Sequence, residues 1–353
     1  MPRISIIIPC YNVDKYLEKC LDSLIGQTLQ DIEIIPVDDG SPDTSGEICD
    51  RYAAKDSRVK PIHKANGGVS AARNDGLSAA TGEYVFFCDG DDWMPRDACE
   101  LLWNEAERSG ADVVFGDILR SWEDREEYMR LFAKPFRTEE ARLIRELIRT
   151  TFYYTYCPMV PLEDPADGCY GGPWNKIVRR SLLTEHNISF DLRVKGIYDD
   201  VLYSAYVLAE AKTVAYIGKP VYNYRQVATS MTRVFKKNIL QINEMIFTCW
   251  QEFLQRYDPQ GEWRAAYYGN VMRRLDHAVQ VYFLTEANPA PKQAKRRELS
   301  RLIRTEPYRS AARGVERSKL DRRHRVLSRM AAAGSATGIL AAYSYNRWRK
   351  RNK

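Results

Sequence analysis

The stretch Asp89-Gly90-Asp91-Asp92-Trp93 follows directly on the apolar run Tyr84-Val85-Phe86-Phe87-Cys88, and this junction indicates the fold more clearly than any other part of the sequence. An apolar run of this length, bounded by turn residues, predicts a buried strand. Three carboxylates therefore emerge where a strand ends, which is the edge at which open α/β sheets bind ligands. Like charges this close repel one another, and a folded protein tolerates them mainly where a cation compensates.

This acidic segment favours a divalent-metal site. Hard cations take oxygen ligands and are commonly held by one or two carboxylates together with substrate phosphates. The first interpretation is therefore a phosphate-ester site assisted by Mg²⁺ or Mn²⁺. The alternative is a solvated acidic turn that caps the helix beginning at Pro95. The segment alone does not decide between the two.

Residues 1–117 alternate strand and helix patterns around this junction. Short apolar runs predict strands at 4–8, 32–37, 59–62, 84–88 and 112–116. Apolar residues at helical spacing predict helices at about 16–25, 44–55, 69–80 and 95–109. Such alternation implies an α/β fold, a doubly wound and mostly parallel sheet with helices on both faces. Pro36 lies within the second strand and predicts a bulge or a distorted strand end, because proline cannot donate a ladder hydrogen bond.

The rest of the chain divides into a less regular segment, 118–235, and a helical one, 236–353. The pattern in the first predicts a helix, a loop and two short strands, at 139–150, 151–172, 214–217 and 221–225. The second contains basic amphipathic segments near 292–305 and 315–330. We therefore expect three regions, 1–117, 118–235 and 236–353.

Composition and charge describe an ordinary soluble protein with a basic end. Of the 353 residues, 44% are apolar and 28% charged, as in globular domains. The net charge of +6 conceals an asymmetry, since the chain from Lys292 onward has 19 basic and 4 acidic residues. Eight cysteines without metal-ligand spacing, no signal peptide and no long apolar stretch predict a reduced, cytoplasmic chain.

Several polar groups follow other predicted strands and would share the crevice with the acidic segment. Asp38 and Asp39 end the second strand, and Arg73 lies early in the helix that follows 66–68. An arginine there could reach a phosphate beside the positive helix N-terminus, although a helical arginine is more often part of a surface ion pair. No G-x-G-x-x-G or G-x-x-x-x-G-K-[ST] motif is present, which argues against hydride transfer and NTP hydrolysis.

Four strings in this order resemble the family 2 glycosyltransferases, which have the GT-A fold. They are SIIIPCYN at 5–12, VDDGS at 37–41, NGGVSAARN at 66–74 and DGDDW at 89–93. The resemblance resumes in GPWNK at 172–176 and GIYDDVLY at 196–203, and then fades. It is strongest to bacterial enzymes that build capsular or exopolysaccharide units, and it implies a transferase that uses a UDP-sugar donor.

The resemblance also implies roles for individual residues. It assigns the nucleotide and donor sugar to a set of substrate-binding positions, namely Pro9, Tyr11, Asn12, Asp39, Asn66, Arg73, Asp89 and Asp92. Asp89 and Asp91 match the D-x-D pair that meets the divalent metal, while Asp92 either orients the turn or touches the sugar. Trp174 and Lys176 match a stretch near the acceptor, where core packing is the alternative for Trp174.

Asp200 is the residue we expect to act as general base, with Asp199 beside it. Family members usually have Glu-Asp at this point, and the shorter Asp199 leaves its own role open. Inverting transfer needs one carboxylate that takes the proton of the acceptor hydroxyl, through an oxocarbenium-like state related to that of glycosidases. The alternative is an acidic helix N-terminus favoured by the helix dipole. The acceptor implied is a glycan or a polyprenyl-linked saccharide.

A protein that binds a nucleotide sugar or carbohydrate without turnover is the alternative from another class. The intact acidic residues argue against it. For the basic region 292–353 we expect either contact with an anionic membrane surface or a solvated helical cap. Nucleic-acid binding is not supported, because no recognised module is present and the rest of the chain is acidic.

Overall fold

The computed structural model describes residues 1–153, 171–194, 199–226 and 237–351, in two compact units, Met1–Val227 and Ala228–Lys353. Most of the loop predicted at 151–172 lies outside the described residues. The first unit contains nine strands: β1 Ile4–Cys10, β2 Ile32–Asp38, β3 Ile62–His63, β4 Tyr84–Phe87, β5 Val113–Ser121, β6 Glu126–Met129, β7 Phe136–Thr138, β8 Lys176–Arg179 and β9 Val214–Arg225. Its helices are α1 Asp14–Ile25, α2 Ser45–Lys55, α3 Val69–Ala79, α4 Ala98–Ser109, α5 Ala141–Phe152, α6 Arg180–Glu185 and α7 Asp199–Glu210.

All nine strands belong to one mixed sheet. Its order is β3-β2-β1-β4-β8-β5-β9-β7, with β6 paired to β5. The first four strands are parallel, β8 runs antiparallel to both of its neighbours, and β5 and β9 are again parallel. The predicted α/β architecture is confirmed. The boundary predicted between regions 1–117 and 118–235 falls inside β5, so the sheet continues across it without interruption.

The apolar runs form strands because both faces of the sheet are covered. Ile4, Ile6, Ile7 and Ile8 of β1 have no exposed surface, as expected for a parallel strand with helices on both sides. Each of the first four strands is followed by a helix. Because β1, β2 and β4 run parallel, their carboxyl ends lie at the same edge. This edge receives the polar segments identified in the sequence.

Pro36 does not distort its strand, contrary to the expectation. β1 and β2 keep one register over their full length. Ile34 exchanges both backbone groups with Arg58 and Lys60 on the outer side of β2, and residues two apart face the same side. The missing N–H of Pro36 therefore faces outward, where β3 begins only at Ile62, and the ladder to β1 loses nothing.

The two short strands predicted at 214–217 and 221–225 form one continuous strand, β9. Gly218 lies between them with φ +62°, a conformation that favours glycine. The register between β5 and β9 shifts between Phe115 and Ile118, so β9 accommodates the turn signal as an irregularity and not as a break.

The second unit is helical throughout its described residues. Its helices are α8 Ile239–Tyr257, α9 Arg264–Ala278, α10 Lys292–Leu302, α11 Tyr308–Gly314, α12 Arg322–Ala332 and α13 Ala336–Arg351. Large buried rings, Trp250, Trp263 and Tyr308 among them, form its core. The helix predicted over 315–330 is wrong at its start, because Asp321 caps α12 by accepting from the backbone N–H of His324 at 2.9 Å. Among the described residues, no helix is both long and apolar enough to cross a membrane.

Candidate active site

The N-terminus of α3 is tied to the end of β2 by the carboxylate of Asp39. Both of its oxygens accept backbone hydrogen bonds, from Gly67 at 2.8 Å and from Gly68 at 2.7 Å. Lys64 adds a third contact at 2.9 Å. Asp39 is buried, and both oxygens of its carboxylate are bonded to the loop that precedes α3. This positions the loop and satisfies helix N–H groups that would otherwise lack partners.

Arg73, one turn further along α3, joins the acidic segments. Its side chain is buried, and its Nη2 lies 2.8 Å from Oδ1 of Asp89. Its Nη1 lies 3.5 Å from Oδ2 of Asp199, and the charge of Asp200 acts on it as well. Burial opposes its positive charge, but these carboxylates outweigh burial and raise the pKa of Arg73. The guanidinium therefore holds together carboxylates that are more than a hundred residues apart in sequence.

The acidic turn after β4 is fixed from below by Tyr222 of β9. The Tyr222 hydroxyl accepts from the backbone N–H of Asp89 at 3.0 Å and donates to the Asp92 carboxylate at 2.7 Å. The other oxygen of Asp92 accepts from the backbone N–H of Arg225 at 2.7 Å. Asp92 is only 1% exposed, and burial raises its pKa well above the ordinary value. Its contacts match the alternative in which this residue orients the turn.

Asp89 and Asp91 differ from Asp92 in what their carboxylates contact. The Asp89 side chain is 27% exposed and is held by Arg73. Among the described residues, no other residue donates a hydrogen bond to the Asp91 carboxylate. Burial and the neighbouring charge of Asp89 raise the pKa of Asp91 to about 6. Two adjacent carboxylates, one of them without a protein donor, are suited to a hard divalent cation.

The described residues contain no group of three or more His, Cys, Asp or Glu side chains arranged to hold a metal ion. Mg²⁺ and similar ions usually take only one or two protein carboxylates and complete their coordination with water and substrate phosphates. The pair Asp89 and Asp91 is consistent with that arrangement.

Asp199 and Asp200 begin α7 but have different surroundings. Asp199 is buried and accepts from the Ser70 hydroxyl at 2.7 Å as well as from Arg73. Among the described residues, Asp200 accepts only from the backbone N–H of Val201, at 2.8 Å. Burial and the charge of Asp199 raise the pKa of Asp200 to about 6. A carboxylate with a raised pKa and spare acceptor capacity has the properties of a general base, whereas Asp199 has those of a positioning group.

The residues predicted on the acceptor side lie beneath the same turn. Trp174 is buried between two rings, stacked on Tyr222 at 4.9 Å and on Tyr224 at 5.3 Å between centroids. Lys176 is buried, and its ammonium group donates to the carbonyl oxygen of Gly172. Burial lowers the pKa of Lys176 to about 7, although the charge of Asp200 opposes this. Both side chains are parts of the packing that supports the site.

The predicted nucleotide-binding residues lie at the ends of the parallel strands and are more accessible. Tyr11 is 51% exposed, and Asn12 and Asn66 are exposed as well. Asn12 adopts φ +55°, which for a residue other than glycine is uncommon and often local to functional turns. Pro9 is half-buried at the end of β1. An exposed ring beside free amide groups provides a surface on which a base could stack.

Two residues of this site had no role in the sequence interpretation. Tyr222 lay inside the predicted strand 221–225, where an alternating pattern indicates packing and not contact with a turn 133 residues away. Ser70 lay within the string at 66–74, but its bond to Asp199 spans 129 residues. The only signal for Ser70 was its membership of that string, which does not identify a partner.

Comparisons with known proteins identify the family and the fold of the chain. The family described as Glycosyl transferase family 2 matches residues 5–163. The uncharacterized glycosyltransferase EpsJ of Bacillus subtilis (strain 168) is 36% identical over 241 residues, which are 66% of this chain and 64% of EpsJ. The glycosyltransferase EpsH of the same strain is 32% identical over 264 residues, which are 74% of this chain and 72% of EpsH. The chain thus spans about two thirds of the length of these two relatives.

A solved structure extends the likeness to nearly the whole chain. S. aureus TarS 1–349 in complex with UDP-GlcNAc superposes with a TM-score of 0.69 at 20% identity, over 99% of this chain and 92% of TarS 1–349. At that identity the likeness establishes the shared fold. With the family match over 5–163 and the extent of the similarity to EpsH, the chain belongs to glycosyl transferase family 2.

Proposed function

We propose that this protein is an inverting, metal-dependent glycosyltransferase. It moves a hexose from a UDP-sugar to a hydroxyl of a glycan or lipid-linked saccharide in cell-surface polysaccharide synthesis. The observation that carries the proposal is the contact of Arg73 with Asp89 and Asp199, which brings the acidic turn and the start of α7 to one crevice. This crevice opens at the carboxyl ends of β1, β2 and β4, where doubly wound sheets bind nucleotides.

Asp200 is the base in this proposal. The acceptor oxygen forms a bond to the anomeric carbon, the bond from that carbon to the diphosphate breaks, and UDP leaves with the electron pair. The proton of the acceptor hydroxyl passes to the Asp200 carboxylate. A base whose pKa is near the working pH is suited to this task, and the pKa of Asp200 is raised to about 6. Asp199, held by Ser70 and Arg73, fixes the direction of the helix that bears it.

Asp91 and Asp89 would hold the Mn²⁺ or Mg²⁺ ion. When bound, such an ion neutralises charge on the departing diphosphate. Asp92 and Tyr222 keep the turn in the shape that directs both carboxylates toward the crevice. Through its ion pair with Asp89, Arg73 holds that side chain next to α3.

The donor surface in this proposal is the exposed edge formed by Pro9, Tyr11, Asn12 and Asn66. TarS, which shares the fold, has been solved with UDP-GlcNAc, and this supports a UDP-sugar as the donor. Tyr11 offers a ring for stacking and the two asparagines offer amides. Asp39 contributes by shaping the loop at 66–68, since its oxygens are already bonded there. Trp174 and Lys176 support the acceptor side from beneath.

The basic C-terminal region is proposed to contact an anionic membrane surface. Tyr345 and Trp348 of α13 are each 60% exposed and stack on one another, among exposed arginines. Exposed aromatic rings beside basic residues are suited to a membrane interface. Replacing both rings by serine should weaken sedimentation with vesicles containing phosphatidylglycerol. Unchanged sedimentation of that variant would contradict this contact.

A donor panel tests the transferase proposal. Purified protein is incubated with UDP-glucose, UDP-galactose, UDP-N-acetylglucosamine and UDP-N-acetylgalactosamine, with Mn²⁺ or with EDTA, and UDP release is measured. We expect release from one or two donors with Mn²⁺, and little with EDTA. Release that is indifferent to EDTA would refute the metal role. Tight binding of a UDP-sugar without release of UDP, whichever acceptor is added, would instead support the non-catalytic alternative.

A further inference from the structure

We infer that the second unit contains an anion-binding site of its own, a cavity lined by Arg304, Arg309 and Arg313 that takes a phosphomonoester or diphosphate group. We call it the arginine cavity. It lies among the helices of 237–351 and shares no residue with the crevice around Arg73. The inference goes beyond sugar transfer and does not depend on it.

The arginine cavity has a basic rim and an apolar floor. Its volume is about 350 Å³, and Ile303 and Ala331–Gly334 complete its lining. Arg309 and Arg313 lie one turn apart on α11, and Arg304 follows α10. Arg304 reaches across to the end of α12, where a Cβ on Gly334 would lie 3.8 Å from its Nη2. Three guanidinium groups from two separate elements therefore surround one space.

None of the three arginines has an acidic partner among the described residues. The four acidic residues between 292 and 351 all contact other groups: Glu298 accepts from Tyr282, Glu306 from the backbone of Ser310, Glu316 from Ser318 and Asp321 from His324. None of them lines the cavity. Like charges one turn apart on a helix destabilise it slightly, and a bound anion would offset this repulsion.

Neighbouring arginines show a different use of the same residue type. Arg317 donates to the carbonyl oxygen of Ala312 and to Ser328, and Arg323 lies 3.1 Å from the buried Asp276. These side chains hold helices together. The three arginines of the cavity make no such contact with the described residues. They are therefore available to a ligand, whereas Arg317 and Arg323 have a structural role.

The chemistry of the cavity suits a phosphate group that presents several oxygens. A guanidinium group presents a planar fork that bonds phosphate oxygens in pairs, and three forks match the several oxygens of a phosphomonoester or diphosphate. The volume falls within the range of small-ligand sites. An apolar floor of Ile303 and alanines accepts an organic group attached to the phosphate. The phosphate could belong to a soluble metabolite or to a lipid headgroup, and the two sources are separable by experiment.

The test compares two triple variants of the full chain that remove the same charge. R304Q/R309Q/R313Q replaces the three cationic side chains of the cavity with neutral ones. R296Q/R297Q/R322Q removes three exposed arginines that lie outside it. Binding of inorganic pyrophosphate and of inorganic phosphate is measured by calorimetry with EDTA present. Both triple variants keep the crevice around Arg73 unaltered, so any contribution of that crevice is the same in each.

We expect the cavity variant to lose roughly tenfold or more in pyrophosphate affinity, since charge-assisted contacts are the strong ones. The control variant should stay within about twofold of the unaltered protein. Equal losses in both variants would mean diffuse attraction and would overturn the inference, as would absence of pyrophosphate binding by the unaltered protein. If the cavity triple lowers the unfolding temperature, the single variant R309Q is measured in its place against R297Q.

A vesicle arm identifies the source of the phosphate. Vesicles with phosphatidic acid, a phosphomonoester, are compared with vesicles of equal charge that contain phosphatidylserine. Preference for phosphatidic acid that disappears only in the cavity variant assigns the site to a lipid headgroup. Pyrophosphate binding without that preference assigns it to a soluble phosphate. Both results support the site, and absence of pyrophosphate binding refutes it, whatever the donor panel shows about sugar transfer.

Discussion

The two edges of the sheet use buried carboxylates in opposite ways. At the amino edge, Glu33 begins β2 and accepts from Ser5 at 2.6 Å, from Lys60 at 2.8 Å and from both the backbone and hydroxyl of Thr81. At the carboxyl edge, the side-chain carboxylate of Asp91 receives no hydrogen bond from another described residue. The two edges of the same sheet therefore differ. The carboxylate of Glu33 has its hydrogen-bond donors, whereas that of Asp91 does not.

The difference is visible in their pKa values. Burial opposes ionisation of Glu33, but the bonds from Lys60, Ser5 and Thr81 outweigh it and lower its pKa to about 2. Burial is not outweighed at the carboxyl edge, where the pKa values of Asp91 and Asp200 are raised to about 6. A carboxylate that the protein satisfies contributes to stability, whereas one that it leaves short of partners is available to a ligand or a proton. The amino edge therefore maintains the fold, and the carboxyl edge performs the proposed chemistry.

Asp200→Asn should have the largest effect on transfer. The amide cannot take a proton from the acceptor, and removal of a general base typically costs about 10²–10⁴-fold in rate. UDP affinity should be retained, because among the described residues Asp200 makes no hydrogen bond to the donor edge or to the proposed metal pair. Transfer is measured with the donor found in the panel, and UDP binding by calorimetry.

Asp75→Asn serves as the control for that variant, since Asp75 is an exposed carboxylate on α3. It should transfer at close to the normal rate. An Asp200→Asn protein that transfers as fast as Asp75→Asn would remove Asp200 from the role of base.

Tyr222→Phe should reduce transfer by roughly 10–100-fold, the usual effect of losing a group that orients metal ligands. The phenylalanine leaves the Asp89 N–H without an acceptor and one oxygen of the buried Asp92 carboxylate without a donor. The Mn²⁺ concentration for half-maximal activity should rise, an effect that loss of packing alone would not produce.

Tyr84→Phe is the matched change at the other side of the sheet. Tyr84 is equally buried and its hydroxyl makes one hydrogen bond, to the carbonyl oxygen of Ala111 at 2.7 Å. It should lose stability without a change in Mn²⁺ dependence. If both variants shift the Mn²⁺ requirement alike, the two edges do not differ in the way described above.

Transfer should fall by about tenfold for each pH unit below 6, because the base must be ionised to accept a proton. The pKa of Asp200 is raised to about 6, so the ionised form dominates at pH 7–8 and is lost as pH falls through that value. The profile of kcat/KM at saturating Mn²⁺ measures this titration. A flat profile between pH 5 and 8 would contradict the assignment.

Glu33→Gln should change transfer least and stability most. Its folded pKa is below the unfolded value of about 4.3, so its stabilisation is present above pH 4.3 and is lost as pH falls toward about 2. At pH 7 the variant should lose about 1–3 kcal/mol of unfolding free energy, as for a buried charged hydrogen-bond acceptor. Urea unfolding at pH 7 and pH 3 measures it, with the exposed Glu47→Gln as control. A loss equal at both pH values would show that the charge of Glu33 is not what matters.

The parallel part of the fold was predictable from local pattern, because each strand is a short apolar run closed by a turn signal. Strands β1, β2 and β4 begin where predicted, and the helices between them are confirmed. Prediction failed at two points, one decided by a long-range contact and one by a local helix cap. Pro36 is harmless only because the neighbouring strand begins at Ile62, and the helix expected from 315 begins at Arg322 because Asp321 caps it there.

By itself, the sequence determined which carboxylates stand at the carboxyl edge, since strand ends and turn residues are adjacent along the chain. Only the tertiary structure decided which of them are already bonded. Asp39 is used by Gly67 and Gly68, Asp92 by Tyr222, and Asp199 by Ser70, across as many as 130 residues. The physical reason is that a hydrogen bond requires a donor at about 3 Å, and packing brings distant donors there. Spacing in sequence therefore identifies the candidate carboxylates. The structure shows which of them can still accept a hydrogen bond, and this distinguishes the reacting carboxylates from those that position the site.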